Sequence, residues 1–202
     1  MMGDSALLEA ITSRRSIRRY RPDPVPQLVI ETVLTAATWA ASAHNRQPWR
    51  FCVIQSAEHK ERLARAMGDR LRRDLEADGT SEEVIAADTG RSYSRITSAP
   101  VLIALCLSLV GMDHYPDARR NDKEFIMAVQ STAMAGQNLL LAAHDQGLGA
   151  CWMCAPLFCP DVVSAALDLP ADWQPQALIT LGYPAETKEK TRRPLETGVV
   201  WR

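Results

Sequence analysis

The sequence predicts an α+β protein, because helical and strand-like patterns follow one another along the chain without strict alternation. Apolar residues recur at helical spacing in several charged segments, whereas residues 51–54, 101–109, 150–153 and 176–181 form short apolar runs bounded by turn residues. With 202 residues, 47% of them hydrophobic, the chain can bury a substantial core in one domain spanning 1–202.

Leu7, Leu8 and Ile11 set the first short helix, which delivers Arg14-Arg15-Ser16-Ile17-Arg18-Arg19-Tyr20 into the turn after it. Four guanidiniums and a hydroxyl gathered there, in a chain of net charge -1, call for an anion. The planar fork of arginine matches the oxygens of a phosphate or carboxylate. A solvated basic turn or a weak nucleic-acid patch is the plainer reading of the same run. Pro22, Pro24 and Pro26 then force an extended segment. Pro26 opens a helix with Leu28, Val29, Val33, Leu34, Ala37 and Ala41 on its apolar face, ending near Ser42.

Ser42-Ala43-His44-Asn45-Arg46-Gln47-Pro48-Trp49-Arg50 reads as a polar binding loop that runs into the strand 51–54. Charged helices follow over 58–77 and 82–96, broken at Gly79-Thr80-Ser81. Their Arg70, Arg72, Arg73, Arg91 and Arg95 either meet an anionic substrate or form solvated faces, and Arg119 and Arg120 pose the same choice. Pro100 precedes a buried strand over 101–109. The longest helix, 123–146, carries the small residues Ala128, Ser131, Ala133, Ala135 and Gly136, which predict close approach of another helix. Gly147-Leu148-Gly149 ends it and leads into a strand; a short helix over 160–167 and a core strand over 176–181 complete the elements. The tail has few core signals, yet Val199, Val200 and Trp201 are apolar enough to dock on something, a partner subunit among the choices.

Composition narrows the function. No segment is apolar enough to cross a bilayer, and Met1-Met2-Gly3-Asp4-Ser5 has no secretory pattern, so a cytoplasmic protein is expected. Five cysteines point to free thiols, and a net charge near zero argues against a nucleic-acid binder. No strand is followed by G-x-G-x-x-G, and there is no phosphate loop with a Walker-type lysine. Cys151, Cys154, Cys159 and His144 are weighed as zinc ligands and set aside, for want of a second pair of ligands, in favour of core thiols. Cys151-Trp152-Met153-Cys154 is a weaker thiol–disulfide candidate, because thioredoxin-like sites place the motif near the start of the chain. No hydrolytic triad is evident; His59 and His144 read as helix-surface residues, and His44 and His114 as loop residues able to touch a ligand. Missing acid–base machinery fits a protein whose chemistry is carried by a cofactor.

Arg14-Arg15-Ser16-Ile17-Arg18, the Asn45-Arg46-Gln47-Pro48-Trp49 loop and Gly147-Leu148-Gly149-Ala150-Cys151-Trp152 occur in an order and spacing that resemble the FMN-dependent nitroreductase family. Tyr115-Pro116-Asp117-Ala118-Arg119, the stretch 167–175 and Gly182-Tyr183-Pro184 resemble one branch of it. That branch is the C-terminal reductase domain of the bifunctional enzyme of deazaflavin coenzyme biosynthesis, which reduces a dehydro precursor. The chain departs from the branch in its 45–49 loop, and the sequence is expected to act without the ligase domain of that branch.

The resemblance implies a nitroreductase-like fold with a mixed central sheet flanked by helices, and a homodimer with flavin sites at the subunit interface and a C-terminal extension onto the partner. Arg14, Arg15, Ser16 and Arg18 would hold the FMN phosphate and ribityl chain, joined by Arg192 or Arg193. Asn45 and Gln47 would bond the pyrimidine edge, and Trp152, Met153 and Cys154 would lie beside N5 and O4, where other members can carry an acidic residue. No metal is implied. The helices over 58–96 would cover the substrate site. The implied reaction is ping-pong hydride transfer through N5, with NADH or NADPH as reductant and a small-molecule acceptor: the deazaflavin precursor, or nitroaromatics, quinones or enones. A flavin or deazaflavin carrier without turnover is the non-enzyme alternative.

Overall fold

The structure, a computed structural model, describes residues 5–202; Met1 to Asp4, read above for a secretory signal, lie outside the described residues. Six α-helices and four strands follow in the order α1 (Ala6–Ser13), α2 (Gln27–Thr38), β1 (Trp49–Ile54), α3 (Ala57–Ala77), α4 (Glu82–Thr97), β2 (Val101–Leu107), α5 (Ala118–Asp145), β3 (Gly149–Met153), α6 (Pro160–Leu167) and β4 (Gln174–Gly182). This is the α+β architecture expected.

The strands lie in the order β1-β2-β4-β3, and every pairing is antiparallel. The parallel component of the sheet is an isolated bridge from Ser16 to Ala150, where Ile17 N–H donates to the Ala150 carbonyl at 3.0 Å. The segment after α1 therefore lines the outer edge of β3, while β1 forms the opposite edge.

Period-two alternation divides β2 between two cores. Val101, Ile103 and Leu105 face α2 and α5, packing with Ile30, Val33, Ala37, Leu139 and Ile179. Leu102, Ala104 and Cys106 face the other layer, with Leu63, Met67, Ile96, Val163 and Leu178. Because both faces of β2 are covered, all seven of its residues are buried, and it reads as an unbroken apolar run.

Two helix bounds need correction, whereas the close approach of another helix to the longest one is observed, α2 packing on α5 through Ala135 and Ala143. The second helix stops at Thr38, with Trp39 as its C-cap, and the chain turns away before Ala41, which is exposed. The long helix starts at Ala118, five residues before the apolar period begins at 123, because Asp117 caps it by accepting the Arg120 N–H at 3.0 Å. Its small residues mostly face inward. Ala128, Ser131, Ala135 and Gly136 are buried within this chain, whereas Phe125, Ile126, Ala133 and Met134 are exposed. A Cβ on Gly136 would lie 2.1 Å from Cζ3 of Trp152 and 2.9 Å from Leu105, so this glycine makes room for an indole from β3 rather than for a helix.

Candidate active site

The basic segment is built on an anchored edge. Ile17 is buried, and the absence of a side chain at Gly149 lets it approach β3; a Cβ there would stand 2.8 Å from Ile17. Tyr20 is pinned by hydrogen bonds to the Ile17 carbonyl and the Thr180 hydroxyl, and burial pushes its phenol well above the ordinary tyrosine range. Around this anchor Arg14, Arg15, Ser16 and Arg18 line a cavity of about 340 Å³ together with Lys188, Lys190 and Arg192. Among the described residues no carboxylate lines it. Burial, then the neighbouring Arg192 and Arg15, hold the Arg14 guanidinium below its usual pKa. The Nε atoms of Arg14 and Arg15 are buried without a hydrogen-bond partner among the described residues, although Arg15 Nη1 donates to the carbonyls of Thr12 and Arg14. Six cations with two unsatisfied buried donors form a cradle that fits a phosphate group.

The tail supplies half of those cations. Lys188, Lys190 and Arg192 occupy alternate positions and share one side of the chain, which leaves Arg193 out of the cavity lining. The two lysines were not singled out from the sequence, although the K-x-K-x-R alternation carried the signal. Glu186 moors the tail by accepting the Arg18 N–H at 2.7 Å and pairing with Lys188 at 3.3 Å. Burial pushes its carboxyl up, but the Arg18 and Arg19 N–H groups and Lys188 outweigh that and hold it below the usual range.

The loop containing Asn45 and Gln47 is equally constrained but lies elsewhere. His44, Asn45 and Gln47 take φ values of 50°, 54° and 51°, a left-handed conformation that asparagine tolerates and that costs other side chains on the order of 1–3 kcal/mol each. Surrounding bonds hold it there. Gln47 N–H donates to Ser42 Oγ at 3.1 Å, Gln47 Nε2 to Asn45 Oδ1 at 3.2 Å and Arg50 to the Gln47 carbonyl at 3.1 Å, while Arg46 pairs with Asp113. The loop enters β1, so three inter-strand steps of roughly 4.8 Å, about 14 Å in all, separate its sheet edge from the β3 edge beside the cradle. The amide loop and the arginine segment thus adjoin opposite edges of the sheet.

Trp152, Met153 and Cys154 close the β3 side. The Trp152 indole N–H donates to Cys154 Sγ at 3.1 Å, and Cys154 is exposed. The other thiols differ: burial raises the pKa of Cys151 and Cys159, and that of Cys106 to about 12. Among the described residues no three His, Cys, Asp or Glu side chains gather as a metal-binding group. His144 accepts or donates one bond with Ser13 Oγ at 2.8 Å, tying α5 to the end of α1. Arg70 and Arg72 are committed to carboxylates, Arg73 to the Asp69 carbonyl, and Arg120 to Asp117 and the face of Tyr115. No helix among the described residues is long and apolar enough to cross a membrane.

Residues 11–183 match the model of the Nitroreductase family. The chain belongs to that family. It is therefore an oxidoreductase by kinship. It is 35% identical to an NADH dehydrogenase of Thermus thermophilus, over 96% of this chain and 94% of the relative. It is 29% identical to the 5,6-dimethylbenzimidazole synthase of Rhodospirillum rubrum, over 86% of this chain and 79% of that one. A solved structure from Desulfovibrio desulfuricans, described as a nitroreductase in complex with FMN, is 29% identical, covers 98% of both chains and superposes with a TM-score of 0.77.

Proposed function

We propose that this chain, as one flavin-binding domain, is an FMN-dependent oxidoreductase that draws on NADH or NADPH and reduces a small organic acceptor. The observation that carries this reading is the six-cation cradle with its two buried guanidinium donors unsatisfied among the described residues. The FMN named for the Desulfovibrio relative and the nitroreductase kinship support it. When bound, the flavin supplies hydride acceptance and donation at N5 in two successive half-reactions, the ping-pong scheme.

The chain's own residues bind and orient. Arg14, Arg15, Ser16 and Arg18, with Lys188, Lys190 and Arg192, neutralise the phosphate. Asn45 and Gln47 offer amide donors and acceptors to the pyrimidine edge, and the Met153–Cys154 backbone flanks the reacting edge. Because the cradle and the amide loop lie at opposite sheet edges, a complete site needs residues from two copies, which supports a homodimer. Exposed Phe125, Ile126 and Met134 on α5, together with Val200 and Trp201, which are 80% and 87% exposed, supply apolar surface for it. The five free cysteines are consistent with a cytoplasmic location. The family membership favours turnover over a carrier.

For the acceptor, the resemblance at 115–119, 167–175 and 182–184 favours the dehydro precursor of the deazaflavin coenzyme, ahead of nitroaromatics, quinones or enones. The test is anaerobic stopped-flow of FMN-loaded protein. Bleaching of the flavin band by NADH or NADPH, followed by recovery on mixing with the dehydro-deazaflavin, is the expected result. A protein that neither retains nor takes up FMN would sink the reading; recovery with nitroaromatics alone would sink only the acceptor.

A further inference from the structure

Beyond the phosphate cradle lies a second cavity, of about 580 Å³, that the flavin reading leaves unused. One wall is a single face of α4 and its C-cap, where Arg91, Ser94, Arg95 and the capping Ser98 follow one another at helical spacing and present two guanidiniums and two hydroxyls. The facing wall is Arg18, Arg19 and Lys188. Arg18 and Lys188 also line the cradle, so the two cavities share a boundary.

The charge in this cavity is only partly answered. Arg91 pairs with Asp88, and Lys188 with Glu186, the one lining carboxylate among the described residues. The side chains of Arg18, Arg19 and Arg95 make no ion pair or hydrogen bond among the described residues, although every other basic helix residue named above as a candidate on α3 is occupied. Three free guanidiniums around a space larger than the cradle suit a phosphoryl anion with an organic body. The guanidinium planes can stack on a base, and the two serine hydroxyls can bond a sugar.

We propose that this cavity is a second phosphoryl subsite that takes the phosphate and ribose of an adenine nucleotide alongside the flavin phosphate, not in place of it. The proposal rests on the reading of the first cradle as the flavin-phosphate site. Two sources share this chemistry: the adenylate half of a flavin dinucleotide continuing out of the cradle, and a separate adenine nucleotide.

The test is calorimetric titration of 5′-AMP into FMN-loaded protein, with FMN affinity determined first for every variant. The expected result is saturable AMP binding with FMN retained, weakened about tenfold or more in Arg95→Ala and in Arg19→Ala, since each removes a charge-assisted contact. FMN affinity should stay unchanged, because neither residue lines the cradle. Gly90→Trp is a second variant: a Cβ at Gly90 meets nothing within 4 Å, so the indole should fill the cavity and block AMP without disturbing the fold. FAD that binds flavin-free protein and thereafter excludes AMP identifies the dinucleotide source; rejection of FAD with AMP binding intact identifies the separate nucleotide. Absence of both AMP and FAD binding, AMP binding unaltered in all three variants, or AMP that displaces FMN would overturn the proposal. Failure of the wild-type protein to bind FMN would overturn the cradle reading and this one together.

Discussion

Arg14 is held where burial and two neighbouring guanidiniums oppose its own charge, a cost that an incoming dianion relieves. Arg14→Ala and Arg18→Ala are therefore expected to weaken FMN binding about ten- to a hundredfold each, from charge-assisted contacts of roughly 1.5 to 3 kcal/mol; fluorescence titration measures it. Arg14→Lys should restore little, because a point charge cannot reproduce the fork. Glu186 gives the pH dependence. Its folded pKa lies below the unfolded value, so its contribution is fully present above the ordinary glutamate range and is lost as pH falls through the folded value. Melting curves of wild type and Glu186→Gln should differ near pH 7 and converge only as the pH falls from the ordinary glutamate range through the lowered folded value; a constant gap across that range would remove the mooring role.

At the scale of elements, the contact between α5 and β3 depends on one missing methyl. Gly136→Ala places a carbon 2.1 Å from the Trp152 ring, and is expected to cost about 1 to 3 kcal/mol in chemical denaturation as the indole is displaced. Gly68→Ala, on an open face of α3, is the contrast and should be neutral or slightly stabilising. The helices and strands were legible in sequence wherever apolar period carried the signal: α6 matches its predicted bounds, and β2 lies within the run 101–109. Legibility failed where other forces decide. The start of α5 is polar and is set by the Asp117 cap, and the inward turn of Gly136 depends on a tryptophan distant in sequence. The left-handed loop at His44, Asn45 and Gln47 is held by Ser42, Arg50 and the Arg46–Asp113 pair, contacts that no local propensity encodes. In the site, Arg14 to Arg18 were readable because their charge is concentrated; Lys188 and Lys190 were not, because theirs is spread along a tail.

For the whole molecule, the sheet order determines how a site is assembled. If flavin is shared between copies, subunits carrying Arg14→Ala with Arg18→Ala and subunits carrying Asn45→Ala with Gln47→Ala, each inactive alone, should regain one working site per mixed dimer, read as FMN stoichiometry and NAD(P)H oxidation. No recovery on mixing would mean that each chain completes its own site. The chain's end carries a different consequence. Because Lys188, Lys190 and Arg192 meet the cradle at every second position, the wall is sensitive to the parity of the tail's length. Loss of Thr187 alone would bring Glu189, Thr191 and Arg193 into those three places, exchanging two lysines and an arginine for one glutamate, one neutral threonine and one arginine, a change from +3 to 0. Loss of two adjacent residues there would restore Lys190 and Arg192 to the wall, so this surface tail tolerates even changes in length and is silenced by odd ones.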